Sequence, residues 1–420
     1  MKKIVKVMIS ALLALILLLS VFSCTKNEEK AQESENTTQA TDTSDTSDTS
    51  DVPQDPSGTE PNDPPESTDT VVKLNSNTAG IKILGVRGLL SDTQINCDYS
   101  GSGIEFSVFL TDRTLSFSAE SSAPCYFKAY VDGEEWKTIT GDTYYELNGK
   151  GIISLSGLPA GQHTVRLVKA TEASIATAQL TAMTFTGVLS SSTPADNANY
   201  IEFVGGANCV GKGNIGADDG YKGQDATLAY SYLLAQALGA DYSVTAMSQS
   251  FPLSVKAEEA KAMYLLSSAA RDGNAKYGFE RKATAVVVDL GASDFALNGK
   301  DGVSAQAFAE AYESLLLLIR DKNGSDCKII CVYDSANGEY ASAISDVAKK
   351  LGGQKAGYYT CQMDTNGDGK LSAEEQNAFL DGLSKVTDNA LRGVITEKTL
   401  DVEEKGDGLS VSYGDLVTLR

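Results

Sequence analysis

A chain of 420 residues with a formal net charge of −21 is a poor partner for nucleic acid, which selects basic faces. The single histidine, His163, argues against a zinc site built on histidines, and the seven cysteines show no paired metal-ligand spacing. About half of the charge is local: residues 25–72 hold 13 acids and two lysines, a net −11.

The N-terminus opens with Lys2, Lys3 and Lys6, followed by a mostly apolar run from Val7 to Leu19 and then Val21-Phe22-Ser23-Cys24. A basic start, a short apolar stretch and a small residue at the cut predict a secretory signal over 1–23. The run is too short for a comfortable membrane span of about 20 residues. A cysteine directly after the small residue resembles the bacterial lipobox. That resemblance implies acylation of Cys24 and a protein secreted and lipid-anchored to the outer face of a bacterial cell membrane. Residues 24–72 read as an extended, solvated tether, with Thr-Ser-Asp repeats at 41–51 and then Pro53, Pro56, Pro61, Pro64 and Pro65. Disulfides among the six remaining cysteines are possible outside the cell, but sequence does not give their connectivity.

Residues 73–188 read as all-β. Residues 104–110 and 114–118 alternate apolar and polar, and residues 126–131 run into Asp132-Gly133, a hairpin signal. The turn at 157–161 precedes a strand from His163 to Val168. Short strands with frequent turns suggest a β-sandwich of jelly-roll type.

Residues 196–395 follow another pattern. Continuous apolar strands are expected at 201–205, 242–246, 285–291 and 328–333, with helices at about 227–238, 257–270 and 308–319. Alternating β and α segments of this kind predict a parallel sheet covered by helices, a three-layer flavodoxin-like α/β arrangement, with ligands at the carboxyl ends of the strands. Residues 396–420 read as a β tail.

The order and spacing of several segments resemble carbohydrate esterase family 2. They include Gly103-Ile104-Glu105-Phe106, Val131-Asp132-Gly133 and Gly161-Gln162-His163-Thr164-Val165 with Lys169 and Thr171-Glu172. Further on come Ile201-Glu202-Phe203-Val204-Gly205, residues 235–243 and Leu290-Gly291-Ala292-Ser293-Asp294. The resemblance implies a jelly-roll domain followed by an SGNH (GDSL-type) hydrolase domain, with an ancestry in removing acetyl groups from polysaccharides by a serine–histidine mechanism. It also implies that the machinery has gone. The Gly-Asp-Ser nucleophile block reads Gly205-Gly206-Ala207-Asn208, and the Ser-Gly block reads Ser248-Gln249-Ser250. The asparagine donor of Gly-Thr-Asn-Asp has become Ser293, and the histidine position falls near Lys370 or Leu371. Cys209 is a replacement nucleophile only if a base lies near it; otherwise it is a small core residue. His163, on a strand, reads as structural. Tyr221 reads either as a sugar-stacking ring or as packing at its loop base.

Residues 364–375 match the twelve-residue EF-hand loop. Asp364, Asn366, Asp368 and Ser372 supply oxygens at positions one, three, five and nine; Lys370 offers its carbonyl and Glu375 both carboxylate oxygens, while Gly369 allows the sharp turn. A strand before the loop replaces the usual entering helix. The expectation is a lone calcium clip and no organic cofactor. Three functions follow from these residues: a non-catalytic surface protein binding polysaccharide and calcium, an acyl esterase with unorthodox catalytic residues, or a structural scaffold of the cell surface. Oligomeric state has no signature here.

Overall fold

The computed structural model describes residues 69–87, 91–216, 220–248, 252–266, 276–367, 369 and 371–396, with the backbone of 399–405 and 408–414. The signal and tether through residue 68, including Cys24, lie outside the described residues, as do Gln249, Asp368 and Lys370.

The first region is antiparallel throughout. Its strands are β1 (Thr70–Lys73), β2 (Ile81–Leu84), β3 (Ile95–Cys97), β4 (Gly103–Ser121), β5 (Cys125–Val131), β6 (Glu134–Trp136), β7 (Tyr145–Leu147), β8 (Lys150–Ser156), β9 (Gly161–Lys169) and β10 (Ala178–Leu189). They run in the order β1-β10-β4-β9-β5-β6, with β2 and β8 also paired to β4, β3 to β10 and β7 to β5. The two alternating segments at 104–110 and 114–118 are halves of one 19-residue strand, β4, rather than separate strands. Ile104, Phe106, Val108 and Leu110 are buried in the first half, Leu115, Phe117 and Ala119 in the second. The alternation changes parity across the exposed residues 111–113, where the first half leaves its ladder with β9 and the second joins β8. The ladder continues through a change of face, which a reading by alternation takes for a break.

Asp132 (φ 53°) and Gly133 (φ 88°) form the two-residue turn between β5 and β6, both with the positive φ that a type I′ hairpin needs. His163 caps this turn and the next. Its Nδ1 lies 2.7 Å from an Asp132 carboxylate oxygen and its Nε2 2.9 Å from the Pro159 carbonyl. Burial opposes its charge, but the bonds to Asp132 and Pro159 outweigh that and hold its pKa above the ordinary value.

The second region is a parallel five-stranded sheet in the order β12-β11-β13-β14-β15, made of β11 (Tyr200–Gly205), β12 (Asp241–Ala246), β13 (Ala285–Asp289), β14 (Lys328–Asp334) and β15 (Tyr358–Met363). Its helices are α1 (Ala207–Val210), α2 (Tyr230–Ala237), α3 (Ala257–Tyr264), α4 (Ala292–Ala296), α5 (Ala305–Asn323), α6 (Glu339–Lys350) and α7 (Ala373–Leu391). Alternate strand residues feed two cores. Ile201, Phe203 and Val287 pack with Leu234, Phe379 and Leu383 on one face; Tyr200, Val204 and Val288 pack with Tyr264, Leu315 and Ile344 on the other. Burial on both faces explains the unbroken apolar strands.

Two helix expectations change, and one helix is added. The helix placed at 227–238 begins as a 3-10 turn, Ala226–Leu228, and becomes α-helical only at Tyr230. The helix placed at 257–270 stops at Tyr264, where the Arg87 guanidinium takes the Tyr264 carbonyl that ends it. Helix α6 was not anticipated. At the tail, β16 (Thr399–Lys405) and β17 (Gly408–Gly414) pair antiparallel.

Buried polar bonds join the two regions. Arg87 pairs with Glu202 at 2.9 Å, both side chains fully buried, and Tyr200 and Tyr264 donate to the same carboxylate at 2.7 and 2.8 Å. Lys128 of β5 reaches Asp225 at 3.2 Å, and the Tyr242 hydroxyl donates to the Gly101 carbonyl at 2.6 Å.

Candidate functional site

In an open parallel sheet a crevice forms where neighbouring strands send their connections to opposite faces, here beyond the carboxyl ends of β11 and β13. A cleft of about 210 Å³ lies there, with Ala207 and Asn208 from α1, Asp289 from the end of β13, Ser293 from α4, Ser248 and Gly369 on its walls. Ala207 and Ser293 thus share one cleft, and Gly369, between the undescribed residues 368 and 370, borders it. Ala207 presents no polar side-chain atom at the place where the resemblance puts a nucleophile.

The chain closes tightly beneath this cleft. Gly205 ends β11 with no room for a side chain, since a Cβ would stand 2.4 Å from the Cys209 sulfur and 2.9 Å from the Asp289 carbonyl. Cys209 itself is fully buried, its Sγ 2.7 Å from the Tyr230 hydroxyl. Desolvation, reinforced by the Asp289 charge, pushes its thiol well above the usual range. A thiol so placed is neither accessible nor ionised, so Cys209 is packing beneath the cleft.

Asp289 is half-buried at the floor of the cleft. One carboxylate oxygen, Oδ2, accepts the Tyr230 hydroxyl at 2.9 Å, with the Cys209 sulfur at 3.9 Å. Desolvation drives the carboxyl up to about 6; the Tyr230 bond opposes this and the Asp334 charge adds to it.

Two further carboxylates shape the walls. Asp294 is buried and accepts the backbone N–H groups of Leu253 and Ser254, both at 2.8 Å. Glu172 comes from the antiparallel region and is fully buried. It accepts the Ser248 backbone N–H at 2.6 Å, the Ser248 hydroxyl, and the Gln224 amide at 2.7 Å. The first region therefore braces the loop that walls the cleft. Sequence reading quoted Glu172 only as part of a motif and passed over Asp289. The available signal was a carboxylate closing an otherwise apolar strand, Ala285-Val286-Val287-Val288-Asp289.

Tyr221 packs edge-on against Tyr126 with ring centres 4.9 Å apart and donates its hydroxyl to Glu146 at 3.0 Å. Its ring thus packs against the antiparallel region.

The loop at 364–375 is partly described. Asp364 accepts the Asn366 backbone N–H at 3.0 Å, and Asn366 donates its side-chain amide to Glu375. Ser372 and Glu375 form a reciprocal capping box at the start of α7. Asn366 (φ 51°), Gly367 (φ 87°) and Gly369 (φ 75°) make the tight turn. The side chains of positions three and twelve therefore meet, while the carboxylate of position one is turned onto the backbone of position three; oxygen-bearing residues of this kind suit a hard cation. Among the described residues no group of three or more His, Cys, Asp or Glu is placed to hold a metal ion; Asp368 lies outside them. Thr365 ties the loop to the sheet by donating to Asp334 at the end of β14.

The architecture is thus a parallel α/β sheet with a crevice at its strand-order reversal, braced by an antiparallel region. Residues 87–192 match the family model described as Carbohydrate esterase 2 N-terminal. The Cellulase/esterase CelE of Acetivibrio thermocellus is 25% identical over 247 residues, which is 56% of this chain and 28% of that protein, so the chain spans under a third of its curated relative. A family two carbohydrate esterase from Clostridium thermocellum, solved in complex with cellohexaose, superposes with a TM-score of 0.64 at 22% identity, over 75% of this chain and 100% of that one. The family two esterase from Cellvibrio japonicus gives 0.65 at 15% identity, over 78% and 99%. An acetyl xylan esterase from the rumen bacterium Butyrivibrio proteoclasticus gives 0.64 at 17% identity, over 78% and 100%. The fold is that of the family two carbohydrate esterases.

Proposed function

We propose that this chain derives from carbohydrate esterase family 2, with its jelly-roll and SGNH hydrolase domains, and acts as a non-catalytic, saccharide-binding surface lipoprotein. The observation that carries the reading is Ala207 on the wall of the cleft where the esterase resemblance requires a serine. No histidine follows His163 in the sequence, and His163 is tied to Asp132 and Pro159 within the antiparallel region. Without nucleophile and base a serine-type mechanism loses a factor of about a million in turnover, while the cleft itself persists. That the Clostridium thermocellum esterase was solved with cellohexaose supports a polysaccharide as the ligand class. Calcium at residues 364–375 and a lipid on Cys24 complete the proposal, the first as a clip beside the cleft and the second as the membrane anchor.

The test is acetyl-ester hydrolysis by the full chain, beside an Ala207→Ser variant, together with a binding titration against cellohexaose. The expected result is no turnover in either form and saturable binding of the saccharide. Turnover by the unchanged chain that disappears on Cys209→Ala would overturn the reading.

A further inference from the structure

Asp289 has two carboxylate oxygens in different situations. Oδ2 is held by the Tyr230 hydroxyl. Oδ1 accepts no hydrogen bond from the described residues, and the side chain lines the cleft. The other carboxylates near it are engaged: Asp294 by two backbone N–H groups, Glu172 by Ser248 and Gln224, Asp334 by Ala336 and Thr365. No lysine or arginine lines the cleft among the described residues. A volume of about 210 Å³ is below the ~300–1,000 Å³ of pockets that enclose a whole small ligand. It suits one unit of a chain whose remainder lies outside.

We propose that Asp289 reads the ligand of this cleft: its unengaged oxygen accepts a hydrogen bond from a free sugar hydroxyl, so the cleft selects unacetylated, uncharged saccharide. The inference rests on the saccharide-binding reading above and deepens it. Acetylating that hydroxyl removes the donor and sets an ester carbonyl oxygen against a carboxylate oxygen. A uronate in the same place brings a like charge. Discrimination of this kind is strong because the site's own acceptor is left unpaired with the wrong ligand. The cleft would thus favour the chemical product of deacetylation over its substrate.

The experiment is calorimetric titration of the full chain at pH 7.5 with a xylo-oligosaccharide and with the same oligosaccharide chemically acetylated. The unacetylated form is expected to bind about tenfold or more tightly. In Asp289→Asn the side-chain amide offers a donor as well as an acceptor, so the preference should shrink to about twofold, with a thermal melt no lower than that of the wild type as the control for folding. A wild-type pH series gives a second readout that needs no variant. The preference should relax as the pH falls through about 6, where Asp289 gains a proton; Cys209 of α1, Tyr230 of α2, Asp334 of β14 and Tyr312 of α5 are the titratable groups that act on or through it. Equal affinity for both oligosaccharides in the wild type, or a preference that Asp289→Asn leaves intact, overturns the assignment of Asp289 alone. Absence of binding to either sugar, and to cellohexaose, overturns the saccharide reading on which it rests.

Discussion

The carboxyl of Asp289 sits where β13 ends and the cleft begins, next to a strand end too tight to carry any side chain at Gly205. Its pKa stands at about 6 against 3.8 for an ordinary aspartate, chiefly through desolvation. The fold therefore prefers the neutral carboxyl. The penalty for holding the ion is absent below about pH 4, grows between 4 and 6, and is complete above 6. A displacement of that size corresponds to roughly 3 kcal/mol at most. Asp289→Asn should therefore stabilise the chain at pH 8 by up to about that amount and change little at pH 4, as read by urea denaturation at the two values. A variant equally stable to wild type at both would mean that the ionised carboxylate is well solvated in the cleft. Residues of this kind escape a sequence reading because nothing along the chain distinguishes a strand-ending aspartate in a cleft from one in solvent. What makes Asp289 unusual is its desolvation at the end of β13, set by packing from far along the chain: Tyr230, which opposes the shift, and Asp334, which adds to it, lie 59 and 45 positions away in the numbering.

Among the elements, the loop at 364–375 and helix α7 behave as a unit. Ser372 and Glu375 cap the helix while Glu375 also meets Asn366, so residues proposed to hold calcium double as the helix start. Filling the loop should then stiffen α7 and, through Thr365, the end of β14. For a lone loop with a Kd on the order of 10⁻⁴ M, 1 mM calcium contributes about 1.4 kcal/mol, a rise of a few degrees in melting temperature. Asp364→Ala should abolish the rise, and magnesium should not reproduce it. Elements whose identity rests on local chemistry were legible: the Asp132-Gly133 hairpin, whose turn demands two positive φ values, and the apolar strands of the parallel sheet. Elements decided by distant partners were not. Strand β4 runs unbroken because β8 and β9 ladder its two halves, and α3 ends where Arg87, about 180 residues earlier, takes the Tyr264 carbonyl. Within the site, Ala207 and Ser293 were found because a motif located them; the Glu172 brace was invisible because its partners, Gln224 and Ser248, lie in the other region.

At the scale of the molecule, the brace at Glu172 and the buried Arg87–Glu202 pair raise the question of whether the two regions can unfold separately. Arg87 is enclosed by the rings of Tyr264, Tyr277 and Phe279 as well as by its carboxylate partner, and Glu202 lies on a central strand of the parallel sheet. Opening the antiparallel region alone would leave Glu202 buried without Arg87, which costs about 3–5 kcal/mol. The prediction is a single cooperative transition. It can be read without labels, because the chain has one tryptophan, Trp136 in β6, packed against the antiparallel core, while every described α-helix belongs to the parallel-sheet region. Trp136 fluorescence and the far-UV helical signal should therefore fall together in urea. Glu202→Leu should lower the midpoint of both together, through a loss of the same 3–5 kcal/mol of stability, because Arg87 is left charged and unpaired. Transitions that separate already in the wild type would show that the buried bonds hold the regions in place without coupling their stability, and the cleft would then owe its shape to the parallel-sheet region alone.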